Sequence, residues 1–144
     1  MESNQVTALA FFFDDIRLEI GNKLSLIGQY TLEMSFAEIA LPVDRISVLL
    51  HVRWPRSHDI GKCLARVDIP GQPKADYQEL PFQAAFDLDS DKSAFSVNIM
   101  QAILNLRFPP LRSGDAIDVW FMADDREYAA GRLRIKGPQA VVSS

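Results

Sequence analysis

Few residues in this chain have the type and spacing to do chemistry. Asp87, Asp89 and Asp91 fall at i, i+2 and i+4 in DLDSDKS, the opening of a calcium loop. Such a loop needs Gly at its sixth position for the sharp turn and a bidentate Glu at its twelfth. Those positions hold Lys92 and Asn98, so a solvated turn between strands is the expectation. His51, His58 and Cys63 could be imagined around zinc, but their spacing matches no paired-ligand motif. Cys63 falls on an apolar row, where a free thiol serves as a small hydrophobe. No Gly-x-Ser-x-Gly elbow is present, and the seven glycines are scattered at turns and form no phosphate-binding loop. Carboxylates far apart in sequence can meet for acid–base work, yet nothing singles out a pair. The expectation is a protein that is not an enzyme and carries no metal or cofactor.

The densest polar group is Asp14, Asp15, Arg17, Glu19 and Lys23, inside FFFDDIRLEIGNKLSLIGQY at residues 11–30. Ile16, Leu18 and Ile20 alternate with Arg17 and Glu19, the period-2 pattern of a half-buried strand. Asp15, Arg17 and Glu19 therefore share a face, with Arg17 between two carboxylates. On a solvated face this is an ion-pair ladder contributing little stability. On a concave one, Arg17 is a fork-shaped donor for a partner or small polar ligand. Leu24 and Leu26 resume the alternation, and matching apolar faces sets Ile20 opposite Leu24 and Leu18 opposite Leu26 around a Gly21–Lys23 loop.

Asp15-x-Arg17-x-Glu19, Gly21-x-Lys23 and Leu26-Ile27-Gly28-x-Tyr30 together resemble the N-terminal signature of a family of small uncharacterised bacterial and phage proteins. The likeness extends more weakly into the segment from Gly114-Asp115 through Ile135. It implies a compact, mostly β protein with no assigned activity, and it leaves a phage-related structural role open. Phe11-Phe12-Phe13 is bulkier than the family pattern, which has a small residue or Cys near Phe13.

The elements that must position these residues read as strands almost throughout. Ala8 to Phe13 is an apolar run preceded by Glu2 and followed by Asp14-Asp15, a poor signal peptide and a good buried strand. Ile46, Val48, Leu50, Val52 and Trp54 alternate cleanly, and Cys63, Ala65, Val67 and Ile69 form a matching row beyond a turn at Pro55–Gly61. Leu80 to Leu88 reads as an edge strand because of Pro81. In residues 95–108 the apolar parity switches, which predicts a β-bulge near Gln101, with a short helix as the competitor. In the last pair, matched faces set Val119 opposite Leu133 and Ile117 opposite Ile135, with Asp124–Tyr128 as the loop. The reverse face then holds an Asp118–Arg134 ion pair and an Arg132–Trp120 cation–π contact. Trp120 and Met122 point outward in that register, where large apolar groups either mark an interface or are covered by another segment of the same chain.

A chain of 144 residues suits a single domain spanning 1–144. Its composition, 48% hydrophobic and 24% charged, is that of a globular protein. A net charge of −4 argues against nucleic acid, which needs clustered Lys and Arg. No run approaches the ~18 apolar residues that span a bilayer, and the lone Cys63 forms no internal disulfide, so a reducing cytoplasm is the expected home. Eight or nine short strands between Gly, Pro and Asp turns predict an all-β, two-layer antiparallel sandwich, immunoglobulin-like or C2-like, with a small barrel as the alternative. The candidate binding residues are Asp15, Arg17, Glu19, Trp120, Met122 and Arg132. The expected partner is a protein or a second copy of the chain.

Overall fold

Alternation dominates residues 45–55, and in the computed structural model they form the central strand of one of two sheets. The structure describes residues 6–21, 23–37, 43–80, 86–87 and 97–138. Ten strands run β1 (Thr7–Glu19), β2 (Lys23–Tyr30), β3 (Glu33–Ser35), β4 (Arg45–Pro55), β5 (Leu64–Asp68), β6 (Gln78–Glu79), β7 (Phe86–Asp87), β8 (Val97–Arg107), β9 (Ala116–Ala123) and β10 (Arg126–Lys136). None of the described residues is helical.

The strands form two five-stranded sheets, β2-β1-β4-β8-β7 and β3-β10-β9-β5-β6, with no closed barrel. Among the described residues all pairings are antiparallel except that of β3 with β10, where Arg134 lies beside Glu33. The turn expected after Trp54 is thus an arch: β4 and β5 belong to different sheets. Val48, Leu50 and Val52 of β4 are fully buried against Ile117, Val119 and Phe121 of β9 and Leu133 of β10 in one core. Each such side chain stabilises the fold by about 1.5–3 kcal/mol. Cys63 lies in the same core, where burial and the Asp124 carboxylate push its thiol up to about 11. It stays protonated, a packing residue and no nucleophile.

β1 serves two neighbours in succession. Thr7–Phe13 pairs with β4, and Phe12–Glu19 pairs with β2. Ala8 and Phe12 face the main core, whereas Phe13 and Ile16 pack with Leu49 in a second cluster on the outward face. Beyond the Phe13–Ser47 pair, β1 leaves β4 altogether.

Three register expectations need correction. In the first hairpin, Leu18 pairs with Leu24 and Ile16 with Leu26, two residues from the expected register. Apolar still meets apolar, because a shift of two preserves the face. It moves Gly21, at φ 83°, from the first loop position to the middle and extrudes Ile20 at the tip. In the last hairpin Ile117 pairs with Leu133 and Ala123 with Arg126. The loop is only Asp124-Asp125, both left-handed at φ 52° and 58°. That is the type I′ geometry favoured by strand twist, tolerated by Asp in place of the usual Asn-Gly. A bulge between Ala129 and Gly131 absorbs the extra residue and turns Ala130 into the core.

The third concerns residues 97–107, which pair residue for residue with β4, with neither bulge nor helix. Met100 enters the core, with Ala102, Leu104 and Leu106 packed against it, while Ile103 packs outward against Phe13, Ile16 and Leu49. The strand is apolar on both faces because its outward face has a small core of its own. Much of the predicted Leu80–Leu88 strand, and Asp89 and Asp91 of the calcium-like run, lie outside the described residues; Asp87 pairs with Asn98 in β7–β8.

Candidate functional site

The hairpin polar group divides into separate contacts. Arg17 Nε donates to Asp15 Oδ2 at 3.0 Å, and Ser25 Oγ donates to Glu19 Oε1 at 3.0 Å, so Arg17 does not bridge both carboxylates. The Arg17 side chain is 65% exposed, the solvated ladder geometry. Asp14 turns toward β2 and accepts a hydrogen bond from the Tyr30 hydroxyl. Burial, with this carboxylate second, drives the Tyr30 phenol well above its ordinary range.

On the outer face of the other sheet, Trp120 is covered from within the chain. The Arg66 guanidinium lies between two rings, 4.8 Å from the Tyr77 centroid and 5.5 Å from that of Trp120. It faces Asp68 (Nε–Oδ1 3.1 Å) and Glu127 (Nη1–Oε1 3.5 Å), and Glu127 also accepts from the Tyr77 hydroxyl at 2.8 Å. Burial and that hydrogen bond push Tyr77 up to about 12. Arg132 grips Asp118 instead of Trp120, with Nε–Oδ1 at 2.6 Å and Nη2–Oδ2 at 3.1 Å. The carboxylate raises the Arg132 pKa above its ordinary value. Both expected contact types are therefore present with changed partners: the ion pair takes Arg132, the cation–π contact Arg66. Met122 is half-buried between Glu127 and Leu64 in register. Sequence reasoning passed over Arg66, although Arg66 and Asp68 at i and i+2 put two opposite charges on one strand face.

The three imagined zinc ligands go to three places. His51 Nδ1 faces Gln101 Nε2 at 3.1 Å, His58 Nε2 pairs with Asp124 at 2.7 Å, and Cys63 is in the core. Burial, then the Arg53 charge, lowers the His51 pKa, so its ring is neutral at neutral pH. Among the described residues no three of His, Cys, Asp and Glu gather as a metal site.

The surface with the clearest binding character lies on β1 and β2. Leu9, Phe11, Leu18, Ile20, Leu26, Ile27 and Leu32 are the exposed large hydrophobics among the described residues, and all fall between positions 9 and 32. A shallow groove of about 450 Å³ beside them is lined by Leu9, Phe11, His51, Arg53 and Trp54. Among the described residues β2 is the outermost strand of its sheet, with one side of its backbone unpaired by another described strand. The signal for this surface was in Leu9-x-Phe11-x-Phe13 interleaved with Ala8-x-Ala10-x-Phe12: apolar residues at both parities mark a strand covered on both faces. No described helix is long and apolar enough to cross a membrane. Set against known proteins, the chain matches no family model, and a search of the curated proteins finds no relative.

Proposed function

We propose that this protein is a non-catalytic module that works by protein contact, first of all with a second copy of itself. The observation behind this is that the exposed large hydrophobics among the described residues all fall between Leu9 and Leu32, with Leu18, Ile20, Leu26 and Ile27 on the β1–β2 hairpin, at a sheet edge that no other described strand covers. Apolar patches of this kind mark interaction surfaces, and an unpaired edge strand is a template for another strand. Antiparallel pairing of β2 with its own copy is isologous and closes at two, the commonest soluble symmetry. A twofold axis through Ser25 sets Leu24 of each copy opposite Leu26 of the other, so like faces stay together. A single buried, protonated thiol suits a reducing compartment such as the cytoplasm.

The reading of Arg17 and Glu19 as a ligand site draws less support, since Arg17 is largely solvated and already paired. Sedimentation velocity over a wide concentration range tests the proposal. The weight-average mass is expected to rise from 16.2 kDa toward twice that value, and Leu26→Lys is expected to hold it at monomer. A wild-type protein that stays monomeric at the highest concentration sinks the self-association reading.

A further inference from the structure

Where β1 leaves β4, a cleft of about 610 Å³ opens between them. Its walls include Asp14, Asp15 and Ile16 of β1 and Arg45 of β4, with Asn105 and Arg107 of β8. Arg45 and Arg107 are direct cross-strand partners, a like-charge pairing that ordinarily destabilises a sheet. Among the described residues neither guanidinium has an ion-pair partner, although two carboxylates line the same cleft. Those two are engaged elsewhere: Asp14 by the Tyr30 hydroxyl, Asp15 by Arg17. Beside them, the buried Ser47 hydroxyl donates to Asn105 Oδ1 at 2.8 Å. That contact occupies the carbonyl end of the amide and leaves its Nδ2 as a donor.

We propose that this cleft binds a small carboxylate, its two oxygens shared between Arg45 and Arg107 with Asn105 Nδ2 as a third donor. A planar carboxylate matches the guanidinium fork and relieves the repulsion between the two cations. Asp14 and Asp15 on the opposite wall oppose a multiply charged anion and so favour a monoanion over phosphate. Ile16 supplies apolar wall for a short hydrocarbon body. The volume lies within the ~300–1,000 Å³ of small-molecule sites. The site does not depend on self-association, because its donors sit on β4 and β8, away from the β2 edge.

The test is a titration of the full ¹⁵N-labelled chain with butyrate, followed by amide NMR, with inorganic phosphate and butylammonium as parallel arms. Butyrate is expected to give saturable shifts at Ser47, Asn105 and Arg107 and to raise the melting temperature. Arg45→Gln and Arg107→Gln are each expected to weaken binding about tenfold or more, the loss of one charge-assisted contact. Both side chains are exposed, so each variant is expected to melt no lower than wild type, since each removes half of a repelling pair. The proposal is overturned if butyrate leaves these amides unmoved, or if both variants bind it as wild type does. Phosphate binding at least as tightly, or butylammonium matching butyrate, overturns it equally.

Discussion

Replacing Gly28 with Ala tests whether the Asp14–Gly28–Tyr30 contact holds the first hairpin in place. Gly28 adopts φ 67°, where an L side chain costs about 1–2 kcal/mol. A Cβ built there would fall 2.8 Å from Asp14 Cγ and 3.1 Å from Asp14 Cβ, so the carboxylate must swing away and release the Tyr30 hydroxyl. A hydrogen bond to a charged group contributes about 1.5–3 kcal/mol, and this exposed one belongs at the low end. Gly28→Ala should therefore destabilise by about 2.5–3.5 kcal/mol. In an Asp14→Ala background the carboxylate and the bond are gone and only the Cβ contact at 3.1 Å remains, so the same substitution should cost little beyond the backbone part, about 1–2 kcal/mol. Urea unfolding monitored by tryptophan fluorescence gives both values, provided the m-value is unchanged. Tyr30 offers a second readout, since its phenol should titrate at lower pH once Asp14 is removed. Equal costs in the two backgrounds, within about 0.5 kcal/mol, would show that the carboxylate moves aside freely and refute the lock.

Arg66→Met removes two cation–π contacts of about 0.5–1 kcal/mol each and two ion pairs to partly exposed carboxylates. It should destabilise by about 1–3 kcal/mol in urea, and an unchanged midpoint would show that relief of Arg desolvation cancels the contacts. His51 carries a lowered pKa from burial and Arg53, so the folded state resists its protonation. Its contribution is fully present above the unfolded value of about 6.5 and is lost as pH falls from there toward the folded pKa. His51→Gln should flatten the melting temperature against pH below about 6.5, and an undiminished acid slope would assign the slope to other groups. Gly131→Ala would bring a Cβ to 3.0 Å from Ala10 Cβ and 3.1 Å from Ala10 O, against the backbone of a core strand. Overpacking of about 1–3 kcal/mol is expected by thermal unfolding, and a neutral result would mean that β1 and β10 separate easily.

What was legible in the sequence was periodicity; what was hidden was chain pairing at a distance. The alternation of Ile46 through Trp54 located β4 and its core face directly, since all five even-numbered residues are buried. Both hairpin registers missed by two residues for one reason. Face matching fixes parity alone, and the remaining choice rests on turn chemistry. Asp124-Asp125 gave a weak type I′ signal because neither residue is Gly or Asn. The bulge expected near Gln101 came from assuming one buried face for a strand that has apolar neighbours on both. For the candidate sites, Trp120 has the expected cation–π contact but from Arg66, and Arg132 makes an ion pair where a cation–π contact was expected; Arg66 and the Arg45–Arg107 pair depend on cross-strand neighbours. No spacing along the chain encodes those.

One bend in β1 produces both the exposed ribbon and the cleft. The outward apolar positions run odd through Phe13 and even from Ile16, and the change falls at Asp14-Asp15, where pairing with β4 ends. From there β1 follows β2 alone, which exposes the ribbon around Leu18 and Leu26 and opens the space beside Arg45. The role of the two aspartates is then architectural: Asp14 secures the bend through Gly28 and Tyr30, and Asp15 holds Arg17. Loosening the bend should affect both surfaces together, whereas a change in the opposite sheet should affect neither. Gly28→Ala is accordingly expected to weaken both butyrate binding and concentration-dependent association, and Arg66→Met to leave both at wild-type values. If Gly28→Ala alters one and spares the other, the two surfaces do not share a common support.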